Sequence, residues 1–224
     1  QGDWSSDVCS SDLETRVAPV LFPARVARGL IGHLLGAISG GALYRKSTFL
    51  VDALGKPVFA GRVTIDEQPH LLKGLNSAPF DNEGVATSDR RLVDAGVLRG
   101  YLLGSYYARK LGMQTTGNAG GAHNLVVHST AGGFDDLVRQ MGTGLIIADL
   151  MGSGINPVTG DYSRGASGFW VENGEIRHPV TEVTIAGNLK EMYQGILAIG
   201  SDVDRRGGVI TGSILVDRMT IAGS

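Results

Sequence analysis

The sequence contains a single cysteine, Cys9, placed within its first dozen residues. With no second thiol, the chain can build no disulfide framework, no CxxC redox pair and no thiolate metal cluster of its own. Strong net charge is also lacking. The 20 Lys and Arg stand against 22 Asp and Glu, a formal balance of −2, so there is no basic stripe of the kind that nucleic-acid binding uses. Long apolar runs are missing too. The best candidate, Gly29 to Leu43, is interrupted by His33 and several glycines and falls short of the roughly 20 residues a membrane span needs.

The opening GDWSSDVCSSDL has neither helical nor strand periodicity, and it lacks the basic and apolar regions of a secretory signal. It matches the translation of a common sequencing-adapter end. Residues 1–13 are therefore expected to be a non-native or disordered leader, and fold reasoning starts at Glu14.

What the chain has in quantity is glycine, 34 in 224 residues, spread beside apolar segments rather than gathered in a linker. This pattern suits tight turns, bulges and close backbone approaches in a β-rich protein. Pro23 opens a helix whose apolar stripe is Val26, Leu30, Leu34 and Ala37, and Ser39-Gly40-Gly41 is expected to end it. Strands are expected at Val58 to Ile65, Val97 to Ser105, His123 to His128, Leu145 to Leu150, Val180 to Ala186, Val209 to Val216 and Met219 to Ala222, with turn chemistry at Asp66 to Pro69. Asn173-Gly174 between apolar alternations marks a hairpin. Short helices are expected at Tyr106 to Leu111 and Phe134 to Met141. A longer one runs from the cap Asn188, with Glu191 three residues on, to Ile199. The fold class is α+β, mostly antiparallel sheet in a barrel-like domain with a few packed helices.

Chemistry is harder to find. The five histidines, His33, His70, His123, His128 and His178, include no helical His-x-x-x-His pair. His123 and His128 bracket a strand and, five residues apart, face opposite sides. Gly142 to Gly144 and Met151 to Gly154 do not fit GxxxxGKS/T, and Gly165 to Gly168 lacks the GxSxG spacing of a nucleophile elbow. The densest polar stretch is Thr159 to Ser167, with Asp161, Tyr162, Ser163 and Arg164 among glycines. It is read as a loop that either contacts a peptide or subunit or satisfies itself as a turn.

Several long phrases decide among these possibilities. GLIGHLLGAISGGALYRKSTFL, PHLLKGLNSAPFDNEGV, TGNAGGAHN, MGTGLIIADLMGSGINPVTGDYSRGASGFWVENGEI, VTEVTIAGNLKEM and GSILVDRMTIAG resemble, in this order, the TldD/PmbA family, in its PmbA (TldE) wording. The resemblance covers the middle region (about 14–110) and the C-terminal domain (about 111–224), and it implies that the family's N-terminal domain is absent. It further implies a cytoplasmic heterodimeric metalloprotease acting on unfolded or short peptides, with zinc held by a TldD-type catalytic partner on an HExxxH helix and completed by a cysteine. In this chain the window falls on Gly32, His33 and Ala37, and the cysteine position falls near Thr211-Gly212. Gly and Ala have no donor atoms. The resemblance therefore implies a PmbA-type subunit that binds no cofactor itself and serves as chamber wall, substrate contact and partner support rather than as catalyst. Candidate contact residues are His33, Arg45, Lys46, Asp161, Tyr162, Ser163 and Arg164. The alternatives are an independent protein-binding modulator, for instance of DNA gyrase, and a metallopeptidase with an unrecognised metal site.

Overall fold

Apolar residues that alternate along a strand must be buried on both faces if both rows are hydrophobic. Strand β1 (Arg16–Phe22) shows this: Val20 and Phe22 enter the main core, while Leu21 between them enters a second one. The computed structural model, which describes residues 14–223, explains the pattern by placing β1 in a closed barrel. The expectation for residues 1–13 lies outside the described residues.

After β1 come helices α1 (Ala24–Ala37) and α2 (Gly40–Tyr44), then strands β2 (Ile65–Glu67), β3 (Arg90–Asp94) and β4 (Val97–Leu98). Helix α3 (Ser105–Lys110), strand β5 (Leu125–Val127) and helix α4 (Phe134–Met141) follow. The long strands β6 (Gly144–Ile155), β7 (Asp161–Glu172) and β8 (Glu175–Asn188) lead to helix α5 (Leu189–Gln194). Strands β9 (Ile196–Ile199), β10 (Val209–Ile210) and β11 (Ile214–Gly223) complete the chain. The order β1-β6-β7-β8-β11 closes on itself through β11–β1 pairing, giving a five-stranded barrel with β9 attached to β11. The β1–β6 contact is parallel and the other barrel pairings are antiparallel. A second sheet runs β10-β5-β2-β3-β4. The expected α+β class with a barrel-like sheet is the observed one.

The main core lies between α1, the barrel and the second sheet, and α4 covers the smaller core around Leu21, Ile146 and Leu215. Tyr193 ties the parts together. It is fully buried, stacks on Phe59 with ring centroids 4.3 Å apart, and donates its hydroxyl to the Leu30 carbonyl of α1 at 2.9 Å. Two glycines are required by geometry. Asn173 and Gly174 both adopt positive φ, 53° and 76°, in the β7–β8 hairpin. At Gly168 a Cβ would collide with the Ile146 carbonyl oxygen, beside a bulge.

Several expected boundaries are corrected. Ser39 ends α1 but also caps α2, its hydroxyl accepting from the Ala42 N–H. Of Val58 to Ile65 only Ile65 is strand. The Val58 and Phe59 N–H groups instead both donate to the Gly96 carbonyl. Asp66 and Glu67 belong to β2 rather than to a turn. Only Val97 and Leu98 of the expected Val97-to-Ser105 strand pair in β4, and Ser105 opens α3. Helix α5 stops at Gln194, and Ile196 to Ile199 form β9, because Gly195 ends the helix and the apolar run that follows pairs with β11. Val209 to Val216 splits between the two sheets at Gly212, which packs on the Gly200 carbonyl. Thr159 to Ser167 is mostly strand β7, and β6 extends past Leu150 to Ile155. Strand β1 was not anticipated.

Helix α1 also offers a stability test. Gly29 is exposed, its backbone is helical, and an added Cβ would meet nothing within 4 Å. Gly29→Ala is expected to stabilise the fold by about 0.5–1 kcal/mol, because alanine loses less conformational entropy on helix formation. An unchanged or lowered urea midpoint would refute this.

Candidate functional site

The α1 face that carries His33 meets strand β7. The His33 ring lies edge-on to Tyr162, with centroids 6.0 Å apart at 70°. Burial and, secondarily, the nearby Arg164 charge hold the His33 imidazole below its usual pKa. Burial pushes the Tyr162 phenol upward, with Arg164 opposing the shift. The structure thus brings together three of the candidate residues, His33, Tyr162 and Arg164.

Asp161 and Ser163 lie apart from that cluster. The Asp161 carboxylate accepts from the Thr159 hydroxyl at 2.6 Å and the Asn188 amide at 3.0 Å. Those two bonds lower its pKa. Asn156 Oδ1 accepts from the Val158 N–H, so this turn is internally hydrogen-bonded. Ser163 is exposed on the side of β7 opposite Tyr162. Arg45 and Lys46 are exposed just beyond α2, with Lys46 at φ 53°.

Arg45 borders a cavity of about 720 Å³ at the C-terminal end of α1. Leu35 and Ser39 form one wall, Tyr106 and Tyr107 another, and the Gly-rich loop from Asn118 to Ala122 a third. A buried carboxylate fixes that loop. Glu67, 1% exposed, receives Arg90 Nε at 2.7 Å on Oε2. Its Oε1 receives the Asn118 amide at 2.7 Å, the His123 backbone N–H at 2.9 Å, and lies 3.1 Å from His123 Nδ1. Asp81 holds the same loop from the other side, accepting the Ala119 N–H at 3.0 Å. Burial pushes the Glu67 pKa up, but the Arg90 charge and the hydrogen bonds outweigh it, and the net shift is downward. Sequence reading placed His123 and His128 on opposite faces, and they are: His123 reaches Glu67 while exposed His128 reaches Asp66 at 2.7 Å. It missed Glu67, Arg90 and Asn118. The one available signal was a carboxylate and an arginine beside the apolar residues Ile65 and Leu92-Val93 of two short strands.

With this geometry in view, the comparisons are specific. A family model described as the PmbA/TldA metallopeptidase C-terminal domain matches residues 15–223. The chain belongs to the PmbA/TldD family. It is 54% identical over 211 residues to the metalloprotease PmbA of Escherichia coli O157:H7, covering 94% of this chain and 47% of that protein. A solved structure from Thermotoga maritima, described as a modulator of a DNA gyrase, superposes with a TM-score of 0.87 at 34% identity, covering 94% of this chain and 50% of that one. TldE from Thermococcus kodakarensis gives 0.82 at 25% identity, covering 94% and 51%. The chain spans about half the length of the curated relatives it matches.

The PmbA/TldD family resemblance implies zinc chemistry, and the residues present can be tested against it. At Gly32 there is room, since a Cβ would meet nothing within 4 Å, but the residue has no donor. Ala37 is buried and also has none. The Thr211 hydroxyl donates to the Gly212 carbonyl at 3.0 Å. Among the described residues, no group of three or more His, Cys, Asp and Glu is placed to hold a metal. These residues do not fit a zinc ion.

The Glu67 network makes a pH prediction with a defined sign. A carboxylate whose folded pKa is depressed contributes stability above its unfolded value of about 4.5, lost as pH falls through the folded pKa. Glu67→Gln is expected to cost on the order of 3 kcal/mol at neutral pH, by leaving Arg90 without its counter-charge. It should also flatten the acid limb of the stability curve below about pH 4.5. Urea melts of both proteins at pH 3.5 and 7 check this, and an equal loss at both pH values would refute it.

Proposed function

We propose that this chain is the middle and C-terminal part of the non-catalytic, PmbA-type subunit of a two-subunit cytoplasmic metallopeptidase. In this reading a TldD-type partner holds the zinc. This subunit supplies chamber wall, supports the partner and contacts unfolded or short peptides. The observation that carries the reading is the α1 window, where Gly32 and Ala37 bring no donor and His33 is turned onto Tyr162. The family membership supports it. Among the described residues no helix is long and apolar enough to cross a membrane.

A second reading, an independent modulator of DNA gyrase, is favoured by the descriptions of solved structures from Thermotoga maritima and Bacteroides thetaiotaomicron. The charge balance of −2 gives direct DNA binding no help.

The test uses the full-length protein, alone and mixed with an HExxxH-bearing family member. Peptide hydrolysis and bound zinc are expected only in the mixture, with the two chains co-eluting on size exclusion. Zinc and turnover from this protein alone would overturn the proposal. A change in gyrase supercoiling, with no complex formed with the HExxxH protein, would favour the second reading.

A further inference from the structure

Strand β7 carries a half-buried arginine on its inner row. Its buried row contains Tyr162, Ala166 and Trp170, each at most 2% exposed, and Arg164 occupies the same row between the first two. The Arg164 Nε is buried and has no hydrogen-bond partner among the described residues. Its Nη2 donates to the Leu150 carbonyl at 3.3 Å. No ion pair among the described residues involves it. The contrast with Arg90 is direct, since that arginine is paired to Glu67 at 2.7 Å. A half-buried guanidinium that meets a carbonyl and the Tyr162 phenol, but no carboxylate, is costly unless a counter-charge completes it.

We propose that Arg164, His33 and Tyr162 form a binding site for a carboxylate, and that its ligand is the C-terminal carboxylate of an extended peptide. This deepens the peptide-handling reading above and rests on it. A guanidinium presents planar paired donors that match a carboxylate. The neighbours add donors without adding negative charge. His33, held neutral by burial and by Arg164, keeps one ring N–H to offer, and Tyr162 stays protonated. The peptide source is argued from the adjacent strand. β6 pairs with β1 only at Leu145 and Ile146, while it runs on to Ile155. Beyond Ile146 its edge away from β7 pairs with no strand among the described residues, and Leu150, whose carbonyl receives Arg164, lies on that stretch. Such an edge accepts an extended chain by backbone hydrogen bonding.

The experiment uses the full-length protein and a short fluorescein-labelled peptide without acidic side chains, prepared as the free acid and as the C-terminal amide. The free acid is expected to bind about tenfold more tightly, as one charge-assisted contact would give. Arg164→Gln should remove that preference, and Arg164→Lys should restore part of it. Should the Arg164 variants fail to fold, the wild-type protein still answers. The His33 ring signals in a nitrogen-edited NMR spectrum should move on adding the acid and stay in place on adding the amide. Equal binding of both forms overturns the carboxylate site while leaving peptide handling intact. Displacement of the acid by inorganic phosphate but not by acetate assigns the site to phosphate and overturns it as well. Binding of neither form would overturn both this site and the peptide-contact reading.

Discussion

Much of the architecture hangs on one buried negative charge. The Glu67 carboxylate sits in the second sheet with almost no exposure, a placement tolerated only because a guanidinium and several N–H donors surround it. Arg90 in turn donates to the Tyr101 carbonyl and to Asn118, and Thr116 donates to Asn118 as well. One carboxylate therefore sets the path of the chain from Tyr101 through His123. That path includes a loop whose glycines at 120 and 121 adopt φ of 107° and 119°. With few side chains to pack, the loop takes its shape from polar anchoring, and it forms one wall of the cavity at the end of α1.

The barrel supplies a different constraint. Closing five strands leaves β1 with apolar neighbours on both faces, so its two rows feed two cores at once. Helix α1 then lies across the main core, fixed by the Tyr193 hydroxyl on Leu30. The face carrying His33 is pressed toward β7, which is why a histidine and a strand arginine distant in sequence share one small volume. The same helix presents Leu35 and Ser39 to the cavity. One helix thus borders both the Arg164 cluster and the cavity.

Local chemistry was legible where it acts over a few residues. Helix α4 was read at its exact limits, because its apolar residues and acidic first turn need no distant partner. The hairpin at Asn173-Gly174 was equally clear, since its turn demands positive φ at both positions. Errors gathered where a long-range contact replaced a local preference. Ile196 and Leu197 continue a helical period, yet they lie in β9, where Ile196 pairs with Val216 of β11, because Gly195 ends the helix there. Val58 and Phe59 have strand chemistry but bond to a single carbonyl across a turn. Strand β1 carries Pro19 and an almost continuous apolar run, so no alternation announced it.

By itself the sequence determined the class, the family and the missing donors at Gly32 and Ala37, because composition, motif order and the absence of a side-chain atom do not depend on folding. Only the tertiary structure decided that the carboxylate of Glu67 is internal and paired, while the guanidinium of Arg164 is half-buried, with its Nε enclosed, and unpaired by any carboxylate among the described residues. Both follow from which strand row faces the core, and that is settled by pairing between segments far apart in the chain.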